Sequence, residues 1–133
     1  MTYNGRTAGY AMLRVTTGFV FFFFGLEKLL GGVGSFVAGL HEQFGKTWLP
    51  PILVGAFGHA LPFLEMTTGV LLVLGLGTRY ALLLAGVLLV VLTSGLTIAG
   101  NGGGVAHNLI YAIVVYLLLR SEADNGYALD RPR

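Results

Sequence analysis

An all-α membrane protein, with four transmembrane helices in an up-down bundle, is the fold class this sequence predicts, and three observations predict it. The 133 residues are 55% hydrophobic and only 11% charged, against about 25% charged in an ordinary soluble domain. Their mean hydropathy is +0.78. The apolar residues also gather into four runs of roughly 16 to 26 residues, near the ~20 an α-helix needs to cross hydrocarbon. The length suits a single domain, residues 1–133.

The first span is expected over about residues 10–30 and contains FFFFGLEKLL at 21–30. Four successive helical positions cover about 300° of the circumference, so this stretch is apolar in every direction. Arg6 ahead of an apolar run also fits a cleaved leader. The run is too long for one, though, and ends in Glu27 and Lys28 without a small-x-small site, so a retained helix is expected. Residues 31–47 are mixed, with Phe36, Leu40 and Phe44 at helical spacing. They predict a short interfacial helix, with Trp48 as an anchor at headgroup level.

Pro50 and Pro51 suit the first turn of a second span, about 50–75, and Pro62 inside it predicts a kink. Gly77 and Thr78 make a tight connection to a third span, about 80–99. The run NGGG at 101–104 reads as a turn, followed by a fourth span over about 105–120. The polar tail, 121–133, is expected in water or on the membrane surface.

Four spans put both chain ends on one side. Arg6, Arg79, Arg120, Arg131 and Arg133 fall on that side, with Arg14 just inside the membrane, while Lys28 and Lys46 fall on the other. Short loops rich in Lys and Arg stay cytoplasmic, so the sequence predicts a multi-pass protein of a bacterial cytoplasmic (inner) membrane with both termini cytoplasmic.

Several chemistries are excluded. Without cysteine there is no disulfide, thiolate metal site, iron–sulfur cluster or thiol catalysis. A net charge of +2 with no basic patch gives nucleic acid nothing to bind. The glycines form neither a dinucleotide fingerprint after a strand nor a Walker loop. The expected surroundings are the lipid bilayer and other membrane or peripheral subunits.

On the first span, Arg14, Gly18, Phe21, Gly25 and Lys28 lie within about 40° of one stripe. Glycines on a membrane helix mark close approach of a neighbour, so Lys28 either faces the bundle or snorkels to the headgroups. Glu27 points about 140° away and suits a loop cap. Glu65 lies about 15 Å deep in the second span, where a lone carboxylate costs several kcal/mol and must be paired, neutralised or wetted. Gly58, Gly69 and Leu72 share its face. An Arg14–Glu65 ion pair and a proton-accepting carboxylate beside a redox ligand both fit.

His59 and His107 fall about 20 to 24 Å from the terminal side, on diagonal helices. They suit structural roles, a quinone carbonyl or, less well, axial ligation of a b-type haem. Asn108 and Tyr111 add polar groups to the same half. The candidate proton-handling residues are therefore Glu65, His107 and His59, and Arg14, Lys28, Asn108 and Tyr111 are candidate pocket lining. Quinone is the favoured cofactor, and no metal is expected.

The pattern R-x3-G-x6-G-x2-K over Arg14, Gly18, Gly25 and Lys28 resembles the DoxX family of small membrane proteins. So does LEMTTGVLLVLGLGTRYALLLAG at 64–86, through Glu65, Gly69, Gly75, Thr78 and Arg79, together with Asn108 and GYALD at 126–130. That resemblance implies four transmembrane helices and a place near the respiratory quinone pool, since the family takes its name from a thiosulfate:quinone oxidoreductase subunit. It also implies two functional expectations. One is a quinone-reactive subunit of an oxidoreductase or respiratory-type complex. The other is a non-catalytic anchoring subunit of a respiratory or photosynthetic assembly. A small transporter is a weaker third.

Overall fold

A computed structural model describes residues 5–129; Asp130, Arg131 and Arg133, which entered the readings above, lie outside them. The chain runs through α1 (Gly5–Leu30), α2 (Val33–Phe44), α3 (Pro51–Leu74), α4 (Thr78–Ile98) and α5 (Gly102–Arg120), then a short 3-10 helix, Glu122–Asp124. There is no strand among the described residues. The helices α1, α3, α4 and α5 are long and apolar enough to cross a membrane. They form a ring in which α1 packs on α3, α3 on α4, α4 on α5 and α5 back on α1, while α2 lies against α3. This is the expected helical membrane bundle, with the short α2 between the first two spans.

The tightest seam joins α1 to α3, and its glycines explain why. A Cβ on Gly18 would lie 2.8 Å from the Gly69 carbonyl and from the Val73 backbone, and a Cβ on Gly69 would collide with the Phe22 amide and the Gly18 carbonyl. Gly25 sits in the same way against the Pro62 carbonyl and Met66. With no side chain in the way, the two backbones touch, which raises dispersion contact where lipid offers no hydrophobic drive. Gly18 opposite Gly69 and Gly25 opposite Pro62 make the two helices antiparallel. Pro62 lies inside α3 and removes the donor that the Gly58 carbonyl would otherwise accept. Gly58 is packed under Val37 and Leu40 of α2.

α1 begins at Gly5 and α5 at Gly102, earlier than the expected 10 and 105, while α3 stops where expected. The run NGGG is only partly a turn, because the Asn101 side chain accepts the Gly104 amide at 3.0 Å and caps α5, so the glycines form its first turn. At the end of α3, Gly75 takes the left-handed conformation (φ 68°), with Leu76 N–H donating to Leu71 O and Gly75 N–H to Leu72 O. That double bond pattern is a Schellman stop.

The apolar core runs through Phe21, Leu61, Leu72, Leu82, Leu88 and Leu118. Large apolar side chains on α4 and α5, among them Val87, Val90, Ile110 and Ile113, face outward. α5 is the least buried of the four spans. Such a surface is unfavourable in water and natural in hydrocarbon.

The tail departs from expectation. Residues 125–129 do not lie free on the surface but fold over the end of the bundle where α3 meets α4 and α5 finishes. Leu129 N–H donates to Leu74 O, Asn125 and Gly126 are buried, and Ala128 is packed where a Cβ on Gly75 would stand.

Candidate functional site

Two cations of α1, Arg14 and Lys28, point into the bundle. Lys28 sits in the last turn of α1. A helical side chain leans toward the N-terminus of its helix, so Lys28 reaches inward rather than out to the headgroups. Its ammonium donates to the Phe24 carbonyl at 3.3 Å and stands 2.9 Å from Glu65 Oε1. The Phe24 ring centroid is 5.6 Å from Lys28 Nζ and that of Phe36, delivered by α2, is 5.4 Å away. Both rings turn electron-rich faces to the charge, a contact that strengthens as water is removed. Glu65 is 2% exposed and Lys28 22%. The ammonium is the charge partner of this buried carboxylate oxygen.

Earlier on α1, Arg14 is 1% exposed. Its Nε donates to Leu72 O at 2.9 Å, Nη1 to Asn125 Oδ1 at 2.6 Å and to Gly126 O at 3.0 Å, and Nη2 to Tyr127 O at 3.0 Å. The planar fork of five donors suits a cluster of separate acceptors, which a lysine could not span. Tyr10, one turn earlier, donates to Leu118 O at 2.7 Å and ties α1 to α5.

The expected Arg14–Glu65 pair is therefore corrected: Lys28 takes the carboxylate and Arg14 holds the tail. The reason is register. Gly25 is level with Pro62 and Met66, the neighbours of Glu65, and lies about 16 Å along α1 beyond Arg14. Glu27 is exposed.

The remaining candidates are dispersed. His59 is exposed on α3, with Nδ1 bonded to the Gly55 carbonyl at 2.8 Å. Because that carbonyl only accepts, Nδ1 is the donor. His107 is exposed on α5, which is diagonal to α3, so neither imidazole joins Glu65 in the bundle. Asn108 is half-buried. Tyr111, also half-buried, touches the site indirectly, its ring meeting Phe24 edge-on at 6.1 Å. Among the described residues no group of His, Asp and Glu side chains is placed to hold a metal ion.

Sequence reasoning missed Phe24, Phe36, Asn125 and Tyr127. Phe24 was legible as the residue four before Lys28 on a helix. The others depend on where α2 and the tail fold back. A cavity of about 110 Å³ between α2 and α3, lined by His41, Phe44, Thr47, Leu49 and Val54, was likewise not foreseen.

The fold and this site define a class: a multi-pass α-helical membrane protein whose interior cations are engaged by its own chain. Within that class, residues 6–108 match the family described as methylamine utilisation protein MauE. The chain belongs to that family. This overturns the resemblance to the DoxX family, whose supporting segments at 14–28 and 64–86 lie within the matched region. Glycines beside a basic residue and a buried carboxylate are what any tightly packed four-span bundle with an internal ion pair requires, so they do not separate one membrane family from another. Neither a curated protein nor a solved structure shows a significant match.

Proposed function

We propose that this chain is a membrane-embedded accessory subunit of an amine-utilising, redox-linked system, supporting partner proteins at the bilayer rather than carrying the reaction itself. The observation that supports a non-catalytic role is the use made of its interior charges: Lys28 is engaged with Glu65, and Arg14 holds the tail. The family's description supplies the amine. Use of methylamine as a nutrient begins with cleavage of its C–N bond, most simply by oxidising the carbon, so a membrane member of such a system sits beside an electron-transfer reaction. The arginine-rich terminal side supports a cytoplasmic placement of both termini in a bacterial inner membrane.

Deletion of the gene tests this. Growth on methylamine is lost and growth on a non-amine carbon source is kept; the wild-type chain and the His59→Ala/His107→Ala variant both restore it. Unimpaired growth on methylamine after deletion overturns the proposal.

A second reading, contact with a membrane quinone, has one observation in its favour. Glu65 places a carboxylate inside the bundle, an acceptor suited to a hydroquinone hydroxyl. Lipid extraction of the gently purified complex checks it: quinone retained by the wild type and lost from Glu65→Gln supports the contact, and its absence from the wild type removes it.

A further inference from the structure

The surroundings of Lys28 Nζ have the composition of a ligand site. A buried carboxylate oxygen lies at 2.9 Å, a backbone carbonyl at 3.3 Å and two phenylalanine rings at 5.4 and 5.6 Å. We propose that Glu65, Phe24 and Phe36 form a binding site for small primary alkylammonium ions, in which Lys28 is a tethered resident that a free ion displaces.

The head group of lysine is itself a primary alkylammonium, so the site already demonstrates the chemistry it would take. One N–H donates to the Phe24 carbonyl, and the charge faces the carboxylate and the two rings. Methylammonium presents the same donors and the same charge. A quaternary ammonium is bulkier and has no N–H for the Phe24 carbonyl or Glu65.

The carboxylate is the anchor of the site: Glu65 is 2% exposed and the Lys28 ammonium, 2.9 Å from Oε1, is its charge partner. Exchange also conserves charge: one ammonium replaces another beside Glu65, so the carboxylate is never left uncompensated. The displaced Lys28 has somewhere to go. It lies two residues from the end of α1 and is 22% exposed, and its four-carbon stem can carry the head outward to water and headgroups.

The site stands on geometry alone; that its natural ligand is a methylated amine rests on the function proposed above. The full-length protein in lipid nanodiscs tests both. The chain has two lysines, Lys28 and Lys46, and Lys46 is exposed beyond α2. A membrane-impermeant amine-reactive label, read by mass spectrometry, gives the Lys28:Lys46 labelling ratio, in which reagent consumed by added amine cancels. Methylammonium chloride raises the ratio several-fold and saturably, while tetramethylammonium chloride at equal ionic strength leaves it unchanged. Glu65→Gln starts at a high ratio and does not respond.

A ratio unmoved by methylammonium, or moved equally by tetramethylammonium, overturns the site, the latter because it reports only screening. Where Lys28→Ala folds, methylammonium also raises its melting temperature, and failure to do so counts against the proposal. An unmoved ratio together with loss of methylamine-dependent growth on gene deletion removes the site and leaves the accessory role. A responsive ratio with unimpaired growth does the reverse.

Discussion

Arg14 and Lys28 sit on one stripe of one helix and are kept inside the bundle by different means. Arg14 divides its guanidinium among the carbonyls of Leu72, Gly126 and Tyr127 and the Asn125 amide, acceptors drawn from α3 and from the tail. Lys28 directs a single point charge at one carboxylate, with two rings around it. The first arrangement distributes charge over many fixed dipoles and joins three parts of the chain, so it is stiff. The second rests on one carboxylate, one carbonyl of its own helix and two rings, and its cation is 22% exposed at a helix end, so it can open. Where both cations come from the same helix, the number and spread of partners distinguish a fastening from an exchangeable contact.

The largest effect is expected at Arg14. Arg14→Leu strands several buried acceptors, each costing about 1–3 kcal/mol, and should lower stability by about 4 kcal/mol in thermal unfolding in mild detergent. Arg14→Lys restores the charge without the fork and should recover less than half of that. An Arg14→Lys variant as stable as the wild type would erase the contrast drawn above.

Next comes Lys28→Met, which leaves the Glu65 charge uncompensated and should cost about 3 kcal/mol, whereas Lys28→Met combined with Glu65→Leu should be closer to the wild type than either single change. Additive single effects would mean that the two side chains do not act as a pair.

Gly69→Ala, which drives a methyl group into the Phe22 and Gly18 backbone, should cost about 1–3 kcal/mol, while Gly9→Ala, with open space around it, should cost nothing. The smallest change is expected for His59→Leu. It removes one exposed bond to the Gly55 carbonyl, and a shift within about 0.6 kcal/mol is anticipated in the same unfolding assay.

The sequence carried the spans because apolar run length is a local property, and the observed α3 and α4 fall within a residue or two of the expected limits. It carried the α1–α3 contact face as well, since Gly18, Gly25 and Gly69 leave gaps whose spacing can be read along a helix. It did not carry register. Whether Glu65 is level with Arg14 or with Lys28 depends on how far α1 slides along α3, and no residue of α1 alone records that. The tail was misread for a related reason. Its polar composition suits water, yet Asn125 is buried because a guanidinium more than a hundred positions earlier needs its oxygen. The family was misread because packing residues were taken for functional ones.

The Arg14 cradle has a consequence for biosynthesis. Asn125 is 111 residues downstream of Arg14. At about 5–20 residues per second, the ribosome delivers that oxygen roughly 6 to 22 s after the arginine has been made. Throughout that interval α1 holds a guanidinium whose closing acceptors do not yet exist. The nascent first helix must therefore linger at the water-facing edge of the bilayer, or in the shelter of the insertion machinery, until Asn125, Gly126 and Tyr127 are made, and a stop codon ahead of them would strand it there.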